Sequence, residues 1–507
     1  MRKNSLPLLV YFLFILYALI NTPLASDEFA WILSAKYANF KDLLLPKGWF
    51  LIAPVEHYLL FIWCRFFDIY NLFLVDLLKI FYIFLSFYLI AKFFHIFLDK
   101  QNAHLATFLF IFFPSHDSTA FFYEGIYSTL TIAFCLYSFY LAYNNKLTSA
   151  FITATVGSFT SYASVPVLLS LFVFFALKKE FKKGAVIVIP NIFYCLYYIF
   201  MSKIIYMMDS QIPDAINLYG IIKQFTLQVL TFADSIFGPS MWLKIYFSFF
   251  QLSFFSIVIG IAFTVIFYKT YQKNNTGYDH KLLISLVVLM LFSFMIFAIT
   301  GMYPQLAFNL GNRTTIYGSL LITYLLVLLP VSKKIKTLIF SVLIFTVLGI
   351  SDHWKNWNIN QQMVITNIKN SQVLKNYKDN KAIYVSGNQF SKYGPISHIE
   401  FFSEDWVIRS VFRLALGKSI PLSSINKRYK YIDGYLLDTK YNTKTKVGDY
   451  INLYDSEKNL LFKLKPEEIN NYIESLPSDN RHWIQIINIE FIKNFVNRLM
   501  PRLKYAL

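Results

Sequence analysis

The chain has 507 residues, 56% of them hydrophobic and 19% aromatic, and carries a net charge of +18. A mean hydropathy of +0.47 and repeated long apolar runs exclude a soluble globular chain and predict a polytopic membrane protein. The positive charge does not call for nucleic acid as a partner. Short basic loops that fix membrane orientation and face anionic lipid explain part of it.

Met1 to Asn4 is a short basic start, and Leu6 to Ile20 is apolar. These features fit a signal peptide with a weak cleavage site near Ala25 or Ser26. A retained first span entering from the cytoplasm fits Arg2 and Lys3 better, because the segments that follow are apolar too. Asp27 and Glu28 stand where that helix should emerge into water. Behind them Phe29, Ile32, Leu33 and Tyr37 recur at helical spacing, the pattern of a helix lying on a membrane surface. Two adjacent carboxylates at a bilayer edge suit proton transfer on a lipid-borne substrate; they equally suit the plain polar flank of a span. Leu44 to Asp68 reads as a second surface segment, with Trp49 and Trp63 interrupted by Pro46, Pro54, Glu56, His57 and Arg65. Residues 23–71 thus form a long amphipathic first external loop.

Further spans are expected at about 72–94, 105–114, 120–142, 149–177, 184–204, 242–268, 282–300, 314–330 and 336–350. The 149–177 run holds Gly157, the polar patch from Ser158 to Tyr162, and Pro166. It is too long for one ordinary crossing and predicts two short helices meeting near Tyr162. The expected total is about 11 transmembrane helices. Charges are scarce inside the spans; Asp76 and Lys79 are three residues apart, so mutual pairing on one helix face is expected. Cys64, Cys135 and Cys195 lack paired or metal-ligand spacing and read as small buried hydrophobes.

Placing the N-terminus inside makes Lys92–His104, Asn144–Lys146, Lys178–Lys183, Lys269–Lys281 and Ser332–Lys336 cytoplasmic, and these loops are rich in Lys. The opposite loops, Phe113–Glu124, Tyr206–Ser240 and Thr300–Gly311, are nearly free of it. The positive-inside rule therefore sets Asp27, Glu28, His116, Asp117, Glu124, Arg313 and everything beyond Ile350 outside the cytoplasmic membrane.

From Ser351 the composition turns polar. Trp354 to Tyr377 is a helix candidate, Lys381 to Gly387 a strand into a turn, and Ile399 to Leu416 a helix. Tyr450 to Leu464 reads as a hairpin around Asp455 to Asn459, and the basic tail from Trp483 to Leu507 as a surface helix. The expected fold is a transmembrane domain over 1–350 followed by an external soluble α/β domain over 351–507.

No Gly-rich phosphate loop, Cys/His metal cluster or Gly-x-Ser-x-Gly elbow is present, which disfavours ATP-driven transport and serine-hydrolase chemistry. The order of segments instead resembles the GT-C superfamily of membrane glycosyltransferases. There a first span is followed by an acidic pair opening a large amphipathic loop, as in Ser26-Asp27-Glu28-Phe29-Ala30. Lys47-Gly48-Trp49-Phe50-Leu51-Ile52-Ala53-Pro54-Val55 is similar to the Gly-Arg-Phe-x-x-Pro-Leu segment of protein O-mannosyltransferases and their bacterial relatives, without its Arg. Phe112-Phe113-Pro114 with Thr119-Ala120-Phe121-Phe122 resembles that subset's Phe-Pro and Thr-x-Phe-Trp stretch. The run from Ser161 to Leu169 resembles its Ser-Lys-Glu segment, without the Glu, and Asn312-Arg313 opens a late span where the superfamily often places an Arg.

The resemblance implies an inverting transfer of sugar from a polyprenyl-phosphate donor to a glycan, lipid or protein acceptor at the outer face of a bacterial inner membrane. Asp27 is then the base and Glu28 its orienting neighbour, or a ligand if a divalent cation is used. Arg313 is the first phosphate partner and Lys47 the second. His57, His116, Asp117 and Tyr162 are further substrate-binding candidates, although a loop-capping or interfacial role also suits the first three. Two alternatives stand beside this reading. One is an O-antigen ligase or polymerase, which usually depends on a large late external loop. The other is a non-enzymatic lipid-linked-sugar flippase, which needs a polar path through the bilayer.

Overall fold

A computed structural model describes residues 6–22, 24–37, 51–66, 72–205, 218–271, 277–300, 304–379 and 381–487, with four single positions beyond. It divides into two compact units. The first comprises Met1–Pro23, Ala38–Ala307 and Gly311–His353; the second comprises Leu24–Tyr37, Phe308–Leu310 and Trp354–Leu507.

The first unit is helical. Among the described residues, five helices are long and apolar enough to cross a membrane, Leu74–Phe94, Tyr123–Tyr143, Phe181–Lys203, His280–Thr300 and Lys333–Asn370, and a sixth span results if one bent pair is counted as a crossing. These are compatible with a membrane protein. Shorter apolar helices cover Leu8–Leu19, Leu147–Thr160 and Ser164–Leu177. The last two are the expected broken run. The chain extends at Ser161 (φ −163°), and buried Asn191 holds the next helix start, its side chain meeting the Ser164 hydroxyl at 3.2 Å and the Val165 carbonyl at 3.4 Å. Pro166 falls in that helix's first turn, where no intrahelical N–H is required of it.

Three expectations change. The segment 242–268, expected as one span, is two helices, Pro239–Phe249 and Phe254–Thr270. Ser253 starts the second as an N-cap, its hydroxyl accepting from the Ser256 N–H at 3.2 Å while Asp352 accepts from its own N–H at 2.8 Å. The stretch 206–240, read as a loop, carries the helix Leu218–Ile236. Its Phe232 and Ile236 pack with Phe113, Phe294 and Ile322. Asp76 and Lys79 do more than face one another. Asp76 accepts the Asn21 N–H at 2.6 Å and the Thr22 N–H at 3.2 Å, and Lys79 donates to the carbonyls of Thr22 and Phe121. Together they clamp the end of the first helix.

Lys333–Asn370 is one helix of 38 residues, where a span ending at 350 and a separate polar helix were expected. The change from Ile350 to Ser351-Asp352-His353 alters the surroundings, but no Gly or Pro from 351 to 370 stops the helix.

In the second unit, β1 (Ile383–Ser386) is fully buried, as an unbroken apolar run between two neighbours should be. Next come β2 (Phe390–Tyr393), β3 (Ile396–Glu400), β4 (Leu422–Ser424), β5 (Tyr429–Ile432), β6 (Tyr435–Asp438), β7 (Thr443–Lys446), β8 (Ile451–Asp455) and β9 (Leu460–Leu464). The main sheet has the order β4-β1-β8-β9, with β1 parallel to β4 and β8 and with β8–β9 an antiparallel hairpin. That hairpin is the expected one. The Asp455 carboxylate accepts from the N–H groups of Glu457 and Lys458, and Asn459 takes a positive φ of 54°. The helix expected from Ile399 begins only at Asp405, because Ile396–Glu400 pairs as β3 with β2. β5 and β6 join through Asp433-Gly434, both at positive φ, a two-residue hairpin signal that the sequence reading missed.

Candidate functional site

The acidic pair belongs to the second unit. Ser26, buried at a positive φ of 47°, turns the chain so that the helix Glu28–Tyr37 starts directly after Asp27. The Asp27 carbonyl accepts from the N–H groups of Ala30 and Trp31 at 2.9 and 3.1 Å. Asp27 is thus the first turn's cap, where a helix end favours negative charge.

The two carboxylates meet different surroundings. Glu28 is 1% exposed and reaches back three residues to accept the Ala25 N–H at 2.5 Å, within the turn that precedes the helix. Asp27 is half-buried, and its Oδ1 accepts the indole N–H of Trp406 at 2.6 Å. Glu28 therefore shapes the turn. Its buried, hydrogen-bonded carboxylate does not fit the metal-ligand role that the resemblance allows, and among the described residues no group of three or more His, Cys, Asp and Glu is arranged to hold a metal.

Segment 24–37 is fixed along its length. Gln361 donates to the Leu24 carbonyl at 3.2 Å, the Phe29 ring lies 5.7 Å from that of Phe401, and the Arg413 guanidinium covers the Tyr37 ring at 4.4 Å. Trp406 is the second residue of the helix Asp405–Leu416. The residue before that helix, Glu404, is buried and accepts both Arg428 nitrogens at 2.9 and 3.0 Å, Lys440 at 2.6 Å and the Tyr441 hydroxyl at 3.3 Å. The Tyr441 ring stands edge-on to Trp406 at 6.2 Å. A buried, bidentate ion pair thus sets the helix start that aims the indole at Asp27.

The other sequence-derived candidates lie in the first unit. Arg313, in the turn Leu310–Thr315, is ion-paired with Glu124 at 2.6 Å. Asp117 stands at the N-cap of the helix Ser118–Phe121, but its side chain makes no capping bond. It pairs with buried Lys244 at 2.5 Å and accepts from the Asn312 amide at 2.5 Å, while Lys244 also donates to the Ala307 carbonyl. This network ties the loop 114–118 to the helix Pro239–Phe249 and to the turn that carries Arg313. His116 is buried, with Nδ1 against the Thr119 hydroxyl at 2.7 Å. His57 is buried in the helix Pro54–Phe66 beside Tyr58. Lys47 lies outside the described residues.

Sequence reasoning missed Lys244 and Trp406. Lys244 had a signal, a lone Lys in the apolar run Met241-Trp242-Leu243-Lys244-Ile245-Tyr246, which calls for a carboxylate partner. Trp406 had none, because its bond to Asp27 joins positions 379 residues apart.

No family model matches the chain, and no curated protein or solved structure matches it either.

Proposed function

We propose that the protein is an inverting, polyprenyl-phosphate-dependent glycosyltransferase of GT-C type, crossing a bacterial inner membrane about 11 times with Asp27 on its outer face. The observation that supports this is the division within the acidic pair. Glu28 reaches back into the turn, whereas Asp27 is half-buried, at a helix start, and accepts the Trp406 indole N–H. A half-buried carboxylate held by a hydrogen bond suits a general base.

In the transfer, the acceptor hydroxyl oxygen attacks the anomeric carbon and its proton passes to the Asp27 carboxylate. The bond from that carbon to the carrier phosphate breaks, and its electron pair leaves with the polyprenyl phosphate. Arg313 answers the charge on the departing phosphate. The planar fork of a guanidinium suits the oxygens of a phosphate.

The test is sugar transfer in proteoliposomes supplied with a polyprenyl-phosphate sugar. Asp27→Asn should lower turnover by about a hundredfold or more, with the protein inserted and folded as wild type. Wild-type turnover in this variant overturns the assignment. Arg313→Glu should impair use of the donor far more than Arg313→Lys, and equal effects would remove Arg313 from the phosphate. Consumption of carrier-linked sugar without lipid crossing the bilayer separates the enzyme from a flippase.

A further inference from the structure

In the first unit, an apolar groove of about 500 Å³ runs between the helix Leu6–Leu19 and the helix Leu72–Phe94. Leu8, Phe12 and Ile15 form one wall, and Phe84, Phe87 and Ala91 the other. Each wall covers seven residue steps of helix, about 10 Å at the helical rise. The Phe12 and Phe84 rings stack across it at 4.0 Å, so the two helices touch there. One end of the groove changes character abruptly, since Lys92, His95, Lys100 and His104 line it there. This is the end that the distribution of Lys assigns to the cytoplasm.

The two ammonium groups at that mouth form no ion pair among the described residues. Among the described residues no carboxylate lies within ion-pair distance of Lys92 or Lys100. The nearest acid in sequence, Asp99, is turned to its own helix end, where it accepts from the N–H groups of Gln101 and Asn102 and from the Asn102 amide. Lys92 instead covers the Tyr88 ring at 5.3 Å. His95 and His104 meet edge to face at 5.2 Å. Burial, then Lys92 and Lys100, hold the His95 imidazole below its ordinary value, against the opposite pull of Asp99. Burial, with His95 and Lys100, brings His104 down to about 4. The mouth therefore offers two ammonium groups and two neutral imidazoles.

We propose that this groove seats one anionic phospholipid of the bilayer, its acyl chain laid along the apolar groove over the two helices and its phosphate between Lys92 and Lys100. An apolar slot alone accepts any lipid tail. The two unpaired ammoniums at its end select a head group with net negative charge over a zwitterionic one. The seat has no part in sugar transfer and stands whether or not that reading holds.

The experiment is native mass spectrometry of the full chain in detergent, titrated with phosphatidylglycerol or phosphatidylcholine. One phosphatidylglycerol should be retained at concentrations where phosphatidylcholine is lost. Lys92→Gln with Lys100→Gln should weaken its binding by about tenfold, while Lys92→Arg with Lys100→Arg keeps it. Ala91→Phe, which fills the slot and leaves the charges, should also weaken it. Equal retention of the two lipids, or undiminished phosphatidylglycerol binding in the Gln variant, overturns the proposal. So does displacement by polyprenyl monophosphate at lower concentration than phosphatidylglycerol itself, which would make the groove a carrier site.

Discussion

Asp27 and Glu28 are neighbours, yet substitution should affect them in opposite ways. Removing a carboxylate that accepts a buried N–H leaves the donor unsatisfied, at about 1–3 kcal/mol. Glu28→Ala should therefore lower the thermal unfolding temperature of the detergent-solubilised protein. Asp27→Asn keeps an oxygen for the Trp406 indole and should leave that temperature close to wild type. A stability loss from Asp27→Asn as large as that from Glu28→Ala would mean both acids are structural. Glu400 gives a second residue-level expectation. Burial pushes its pKa up, but Arg481, the Asn309 amide, Lys440 and Ser403 together outweigh burial and hold it below the ordinary 4.5. A carboxyl held low in the folded state contributes stability that is complete above 4.5 and is lost as pH falls through the lower folded value. Glu400→Gln should thus cost stability at neutral pH and show a smaller further loss on acidification, measured as unfolding temperature against pH. At this scale the sequence shows residue type, enough to pick out Asp27 and Glu28 as a candidate pair. It does not show partners, so the commitment of Glu28 to Ala25 and of Asp117 to Lys244 appears only in the fold.

At the scale of elements, apolar runs bounded by polar residues were legible. The helices over 72–94 and 280–300, the break at 161–163 and the hairpin around 455–459 all follow from local pattern. What failed were the places where composition and backbone geometry part. The long helix Lys333–Asn370 passes from apolar to polar without a stop signal, and β3 sits where helical spacing was read. Close helix contact is a further feature without a periodic signature. A Cβ added at Gly349 would collide with the Ser248 carbonyl, so glycine there lets the helix Lys333–Asn370 approach the helix Pro239–Phe249. Gly349→Ala should force these helices apart and destabilise the first unit by about 1–3 kcal/mol, as overpacked sites do. Thermal unfolding read against an exposed Gly417→Ala control would check it. That control position has nothing near it but takes a positive φ of 70°, so its loss reports backbone strain alone. A Gly349 effect no larger than the control's would deny the close contact.

For the whole molecule, the division into two units changes what sidedness means. The sequence placed the boundary near 350 by composition, whereas the second unit also takes in Leu24–Tyr37 and Phe308–Leu310. Asp27 is bonded to Trp406 and Asn309 to Glu400 within that unit, so the orientation of the C-terminal sheet is the orientation of the acidic pair. A label on the sheet therefore reports on the side of Asp27. Lys444 is exposed on β7, and Asn145 is exposed in a loop that charge assigns to the cytoplasm. In a background with Cys64, Cys135 and Cys195 replaced by Ala, Lys444→Cys should react with a membrane-impermeant maleimide in intact spheroplasts. Asn145→Cys should react only after permeabilisation. The reverse pattern would put Asp27 on the cytoplasmic side, where sugar transfer ordinarily has soluble nucleotide sugars at hand and needs no lipid carrier. It would then remove the reason for a base at the membrane edge, even if Asp27→Asn still abolished activity.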